Sequence, residues 1–265
     1  MNNIEIYVLI VIYNKKCLDS VTCLCLKNID NINIILVDNS TQDYQNKFFA
    51  LKNEWIYISM NGNMGLSKAY NKGISVIKDH PNAIVCLFDD DTQVDQNYFE
   101  ALKAKLLITP KSKIFLPYVY DETGLRSPCI IENFVAKKAD NITMINSQNI
   151  TAINSGMAIK MDVFTNYQYD ENLFLDYIDH AFIRDMKFLK YKISIFDAIL
   201  THEMFFTSNT ADITDIINRI KRFKKDFKRF CGKSFLGRRA YWTEMYKLKK
   251  HLFISYGQNI KIMFA

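Results

Sequence analysis

Four stretches of this chain are apolar almost without interruption, and each gives way to polar residues: Ile4 to Tyr13, Ile32 to Val37, Trp55 to Ser59 and Ala83 to Phe88. A strand with one wet face alternates polar and apolar residues. Continuous Ile/Val/Leu runs belong instead to strands buried on both faces, as in parallel sheets covered by helices. Helical segments separate the runs, ending near Asn28 after the first and near Lys78 after the third. The pattern predicts an α/β fold of βαβ type, an open and mostly parallel sheet flanked by helices. Ligands of such sheets bind beyond the carboxyl ends of the strands.

The polar residues fall at those ends. Tyr13-Asn14, Asp38-Asn39-Ser40, the turn Asn61 to Leu66 with Asn63 and Gly65, and the triplet Asp89-Asp90-Asp91 each follow a strand, so four separate stretches are expected to meet in one crevice. Three adjacent carboxylates repel one another and call for a counter-cation. Alternation along an extended chain sends Asp89 and Asp91 to one side and Asp90 to the other. Mg2+ or Mn2+, held by one or two carboxylates and by the phosphates of a substrate, suits such a strand end. A solvated acidic turn capping the next helix through Thr92 would explain an isolated triplet, but the convergence of four stretches favours a ligand site. The first strand runs into Asn14-Lys15-Lys16 with no glycine-rich turn, which argues against a dinucleotide dehydrogenase.

A helix is expected over residues 95–108 and a strand over 113–120, whereas 121–150 reads as irregular and carries no assigned chemistry. Ser155-Gly156-Met157 resumes a strand, where the glycine would admit close approach to a ligand or form a bulge. A second acidic string, Leu173-Phe174-Leu175-Asp176-Tyr177-Ile178-Asp179, leads into a helix running to about Lys190. Three residues apart, Asp176 and Asp179 are expected to share a face of it. Strands at 191–196 and 198–200 precede His202.

In their order and spacing, Tyr13-Asn14, Val37-Asp38-Asn39-Ser40, Asn63-Met64-Gly65-Leu66, Phe88-Asp89-Asp90-Asp91-Thr92 and Asn154-Ser155-Gly156-Met157 resemble glycosyltransferase family 2, with its GT-A fold, over about residues 4–205. The resemblance implies that Asn14 and Asp38 contact a nucleoside and that Asn39 and Asn63 to Leu66 border it. It makes Asp89 and Asp91 the Asp-x-Asp element at a metal and a donor diphosphate. Tyr13, Asp90 and Gly156 join the donor-binding set, and His202 completes the metal site. The same resemblance assigns the general base to Asp179, with Asp176 as the fallback. The string around Asp176 is most similar to the rhamnosyltransferase-like branch, from which Ala181 and Phe182 depart.

Charge divides the chain. Of a net +6, residues 210–265 carry 14 Lys and Arg against 4 Asp and Glu, so residues 1–209 are net −4. In the tail, Ile213, Ile216, Ile217, Ile220, Phe223, Phe227 and Phe230 form one helical stripe opposite a basic face, which reads as an amphipathic helix for an anionic membrane surface. The alternative is a helix packed on the catalytic body. Aromatic residues on the face that needs burial argue against a nucleic acid partner. Six cysteines without a Cys-x-x-Cys pair suggest the reduced cytosol, and no apolar run approaches the roughly 20 residues of a membrane span.

These readings together predict a catalytic domain over 1–209 and a helical extension over 210–265. The activity expected is metal-dependent, inverting transfer of a sugar from a nucleoside diphosphate sugar, dTDP-rhamnose or a UDP-sugar, to a glycan or lipid-linked acceptor. Bacterial surface polysaccharide synthesis on the inner face of the cell membrane is the expected setting. A nucleotidyltransferase and a non-catalytic sugar-nucleotide-binding or membrane-docking module are the rivals.

Overall fold

The computed structural model describes residues 4–202 and 213–256, without the side chains of His202, Ser255 and Tyr256. The first half is four parallel strands, β1 (Ile6–Ile12), β2 (Asn33–Asp38), β3 (Ile56–Ser59) and β4 (Ile84–Phe88), connected through α1 (Val21–Leu26), α2 (Asn46–Lys52) and α3 (Leu66–Ser75). The runs of β1, β2 and β4 are continuous because both faces are covered, whereas β3, at the sheet edge, is only half-buried in spite of its apolar run. Tyr7, Leu9, Ile35, Val37, Val85 and Leu87 belong to one core cluster, and Ile6, Val8, Ile10, Ile34, Leu36, Ile84 and Cys86 to another. These two sets alternate along each strand, as the pleat requires.

The short β5 (Thr92–Gln93) and α4 (Gln96–Ile108) follow, the helix capped by the Asp95 side chain. Next come β6 (Ser112–Asp121), β7 (Gly124–Ser127), β8 (Cys129–Glu132), β9 (Val135–Lys137), β10 (Ile150–Thr151) and β11 (Met157–Lys160). After α5 (Ile178–Phe188), β12 (Lys192–His202) runs parallel to β6 with a register shift between Ile195 and Ile199, so the two predicted strands are one bulged strand. The sheet order is β3-β2-β1-β4-β11-β6-β12-β5, with β7 on β6. Antiparallel pairing enters at β11, which lies between β4 and β6.

Residues 121–150 are not irregular. Strands β10, β8 and β9 form a separate antiparallel sheet, and Asn133 and Phe134, both at positive φ (48° and 68°), turn β8 into β9. Two left-handed residues are the geometry of a tight hairpin turn. Strands this short, with mixed polarity, leave little periodicity to read.

The tail consists of α6 (Ile213–Cys231) and α7 (Phe235–Tyr256). Phe227 and Phe230 of the predicted stripe enter the same core cluster as α3 and α5, and the Tyr177 ring lies 4.8 Å between centroids from each, tilted on Phe227 and stacked on Phe230. The stripe thus packs on the body over its second half. The expected boundary at 209/210 lies outside the described residues.

Candidate active site

At the carboxyl end of the parallel strands, buried Asp38 closes β2. One of its carboxylate oxygens accepts the Ser40 N–H at 3.0 Å, and the other accepts Asn46 Nδ2 and the Tyr57 hydroxyl, both at 3.2 Å. Burial and then the Asp38 charge push the Tyr57 phenol up to about 12. Asn46 also reaches the Lys15 carbonyl and accepts the Cys17 N–H, fastening the end of β1 to that of β2. Asn14, left-handed at φ 47°, accepts the Thr41 N–H at 2.9 Å and donates its own N–H to Ser40 Oγ. Tyr13 beside it is exposed.

The glycine turn is tied to the same edge. Asn39 Oδ1 accepts the Met64 N–H at 2.9 Å and its Nδ2 donates to Asn63 Oδ1, which also accepts the Gly65 N–H. Gly65 sits at φ +89°, and a Cβ there would stand 2.8 Å from the Phe174 ring. The next residue, Leu66, donates its N–H to the Phe174 carbonyl at 2.7 Å. The glycine turn and the second acidic string are therefore in contact.

The three aspartates follow the end of β4 in a turn rather than in the strand, and two of them have different partners. Lys15 Nζ lies 3.1 Å from Asp90 Oδ1, while Asp89 accepts a hydrogen bond from Ser155 Oγ. Burial raises the Asp90 carboxyl pKa, Lys15 opposes this, and the Asp91 and Asp89 charges add to the rise. Thr22 and Ser20 donate hydroxyls to the Asp89 and Asp90 carbonyls at 2.6 and 2.7 Å, fixing the turn's backbone. Asp91 precedes Thr92, whose partner across the β5–β12 ladder is His202. That brings the His202 backbone beside the acidic turn. Its side chain, predicted as a ligand, lies outside the described residues.

No group of three or more His, Cys, Asp or Glu converges in metal-binding geometry among the described residues. The oxygen donors at this turn are Asp89 and Asp91, a set that fits a hard cation drawing its other ligands from phosphates and water.

Asp179 lies in the first turn of α5, largely buried. Its pKa is raised, by burial first, with the His180 charge and backbone N–H opposing and the Asp89 charge adding. The buried Tyr70 hydroxyl lies in the field of both Asp89 and Asp179. Asp176 and Asp179 do not share a helix face. Tyr177 is left-handed at φ 63° and caps the helix, so Asp176 stays outside it. There the Arg219 guanidinium grips Asp176 with two hydrogen bonds, one of 2.7 Å. Asp226, fully buried on α6, accepts the N–H groups of Phe174, Leu175 and Asp176 at 3.0, 2.8 and 2.9 Å.

Gly156, at φ +75°, has a packing cause: a Cβ would collide with Leu200 and Pro117. Its carbonyl accepts the Tyr98 hydroxyl at 2.7 Å. Residues missed in the sequence are Lys15, Ser20, Thr22, Asn46, Ser155, Arg219 and Asp226. Each contacts the site from far along the chain, and only the quoted Asn-Ser-Gly-Met string pointed near one of them.

Residues 7–168, more than half of the chain, match the model of Glycosyl transferase family 2. No curated protein matches. Among solved structures, S. aureus TarS 1–349 is similar with a TM-score of 0.57 at 14% identity, covering 86% of this chain and 64% of that one. A longer S. aureus TarS structure gives 0.55 at 13% identity, covering 94% and 44%. A third, of S. aureus TarS 1–349 in complex with UDP-GlcNAc, gives 0.52 at 14%, covering 86% and 66%. The chain thus spans about two thirds or less of these structures, and at such identities the likeness is one of fold. With the matched family model and the GT-A-type sheet, the chain belongs to glycosyl transferase family 2.

Proposed function

We propose that the protein transfers one sugar from a nucleoside diphosphate donor to an acceptor hydroxyl, with inversion at the anomeric carbon. The observation that carries this reading is the contact between two stretches far apart in sequence: the Asn63–Gly65 turn, tied to Asn39 at the end of β2, meets the string that leads to Asp179 through the Leu66 N–H and the Phe174 carbonyl, 2.7 Å apart. Asp38, Asn14 and the Asn39–Asn63–Gly65 network form the edge that takes the nucleoside. Asp89 and Asp91 face the diphosphate, where a bound Mg2+ or Mn2+ would offset the charge of the leaving group. Asp179 accepts the proton of the acceptor hydroxyl as its oxygen bonds to the anomeric carbon. The carbon–oxygen bond to the diphosphate breaks, and its electron pair leaves with the diphosphate.

The solved S. aureus TarS 1–349 complexes with UDP-GlcNAc and UDP support a UDP-sugar as donor, with dTDP-rhamnose the alternative from the sequence. A glycan or lipid-linked acceptor in bacterial surface polysaccharide synthesis is the setting. The basic outer face of α6 supports peripheral attachment to an anionic membrane. No described helix is long and apolar enough to cross one.

Donor turnover tests the reading. Incubation with UDP-, dTDP- and GDP-sugars and Mn2+ is expected to release free sugar and nucleoside diphosphate slowly from one of them. Release of pyrophosphate or nucleoside monophosphate would make the protein a nucleotidyltransferase, and no release would make it a binding module.

A further inference from the structure

A cavity of about 620 Å3 opens between the small sheet, α5 and α7, away from the Asp38 edge. Its size falls within the 300–1,000 Å3 typical of small-molecule sites. His180 lines it, and His180 Nε2 stands 3.8 Å from Asp179 Oδ1 while Nδ1 meets Thr151 Oγ1 at 2.8 Å. The cavity thus begins one side chain from the carboxylate proposed as base.

Its walls carry five Lys and Arg against two carboxylates, and both carboxylates are accounted for. Glu132 pairs with Lys137 and Glu244 with Lys247, each at 2.6 Å. Arg184 holds Asp185 at 2.9 Å. Lys187 donates to the Gln148 and Ile150 carbonyls at 2.9 Å, contacts that leave its charge uncompensated. Arg239 has no ion pair among the described residues and is exposed to the cavity mouth. Burial lowers the Lys187 pKa, as expected for an ammonium lacking an anion. Phe134 and Phe230 supply apolar wall.

We propose that this cavity seats a phosphate-bearing segment of the acceptor, with Arg239 and Lys187 on the phosphate oxygens and Phe134 and Phe230 against the adjoining sugar or polyol. Two uncompensated cations, one a planar fork of donors, match phosphate better than a neutral hydroxyl chain. The assignment to an acceptor rests on the transferase reading, whereas the anion site does not.

The test is a thermal-shift titration of the full chain with glycerol 3-phosphate, UDP being present at saturation so that the donor's diphosphate position is filled. Glycerol is the phosphate-free control, and wild type is compared with R239Q and K187Q. Saturable stabilisation by glycerol 3-phosphate, none by glycerol, and an apparent Kd about tenfold or more weaker in either variant is the expected result. Arg239 is exposed, so R239Q is free of folding risk. Equal binding by wild type and R239Q, or equal effects of glycerol and glycerol 3-phosphate, would overturn the proposal. Donor hydrolysis by the wild type is read in parallel. Arg239-dependent binding without hydrolysis would sink the transferase reading and leave the anion site standing. Hydrolysis with Arg239-independent binding would do the reverse.

Discussion

Asp226 of the tail helix accepts the backbone N–H of Asp176 at 2.9 Å, along with those of the two residues before it. A fully buried carboxylate with three amide donors is thereby built into the loop that leads to Asp179 and presses on Gly65. The tail is a strut of the active site as much as a surface.

Removing that carboxylate leaves three part-buried amides without their acceptor, at about 1 kcal/mol or more each. D226A is expected to lower unfolding free energy by about 3 kcal/mol or more in urea titrations. D226N, which keeps one acceptor oxygen, should lose less. Turnover should fall in both, because Asp176 and Tyr177 set the start of α5. An unchanged denaturation midpoint in D226A would contradict the role given to the contact.

General-base catalysis contributes about 10²- to 10⁴-fold. D179N should lose turnover on that scale while still binding donor, and D176N should lose less, because Asp176 is occupied by Arg219. The Asp179 pKa is raised above its ordinary 3.8. The folded protein therefore holds that proton more tightly than the unfolded chain. The stability this brings is present below pH 3.8 and fades as pH rises through the folded value. Activity should switch on across that same raised titration, an acid limb that a pH–rate profile of D179N should lack.

D91N is expected to abolish turnover. Chelation by EDTA should silence the wild type, and Mn2+ should restore it. Activity that survives both would remove the metal from the reading.

Gly156 and Gly232 share nearly the same φ, +75° and +70°, but of the two only Gly156 has neighbours where a Cβ would sit. G232A should therefore cost about 1–2 kcal/mol from left-handed strain alone. For G156A, overpacking should add roughly 1–3 kcal/mol. Thermal or chemical melts of the pair isolate the packing contribution.

Strands β1, β2 and β4 were legible because burial on both faces leaves no polar interruption, and β3 by its short apolar run alone. Asp38 and Asp89 stood out for the same reason, as charges at the ends of apolar runs. Periodicity in the tail announced a buried stripe without saying what covers it, so Phe227 and Phe230 could be read toward a membrane when Tyr177 was their partner. Spacing suggested that Asp176 and Asp179 share a face, but a helix start depends on a cap, and left-handed Tyr177 moved that start past Asp176. Lys15 with Asp90, Ser155 with Asp89 and Arg219 with Asp176 are pairs closed only by the folded chain, and no local pattern marks them.

The chain leaves the main sheet after β7 and returns to it at β11, and both of these strands are hydrogen-bonded to β6. A segment whose ends are anchored to one strand can grow, shrink or be replaced at little entropic cost, each doubling in length adding only about 0.6 kcal/mol. One wall of the cavity beside His180 thus lies on a segment free to vary in length, and a chimera that exchanges the hairpin of β8 and β9 while keeping Thr151 and Ser155 is expected to reshape that wall without disturbing the Asp38 edge.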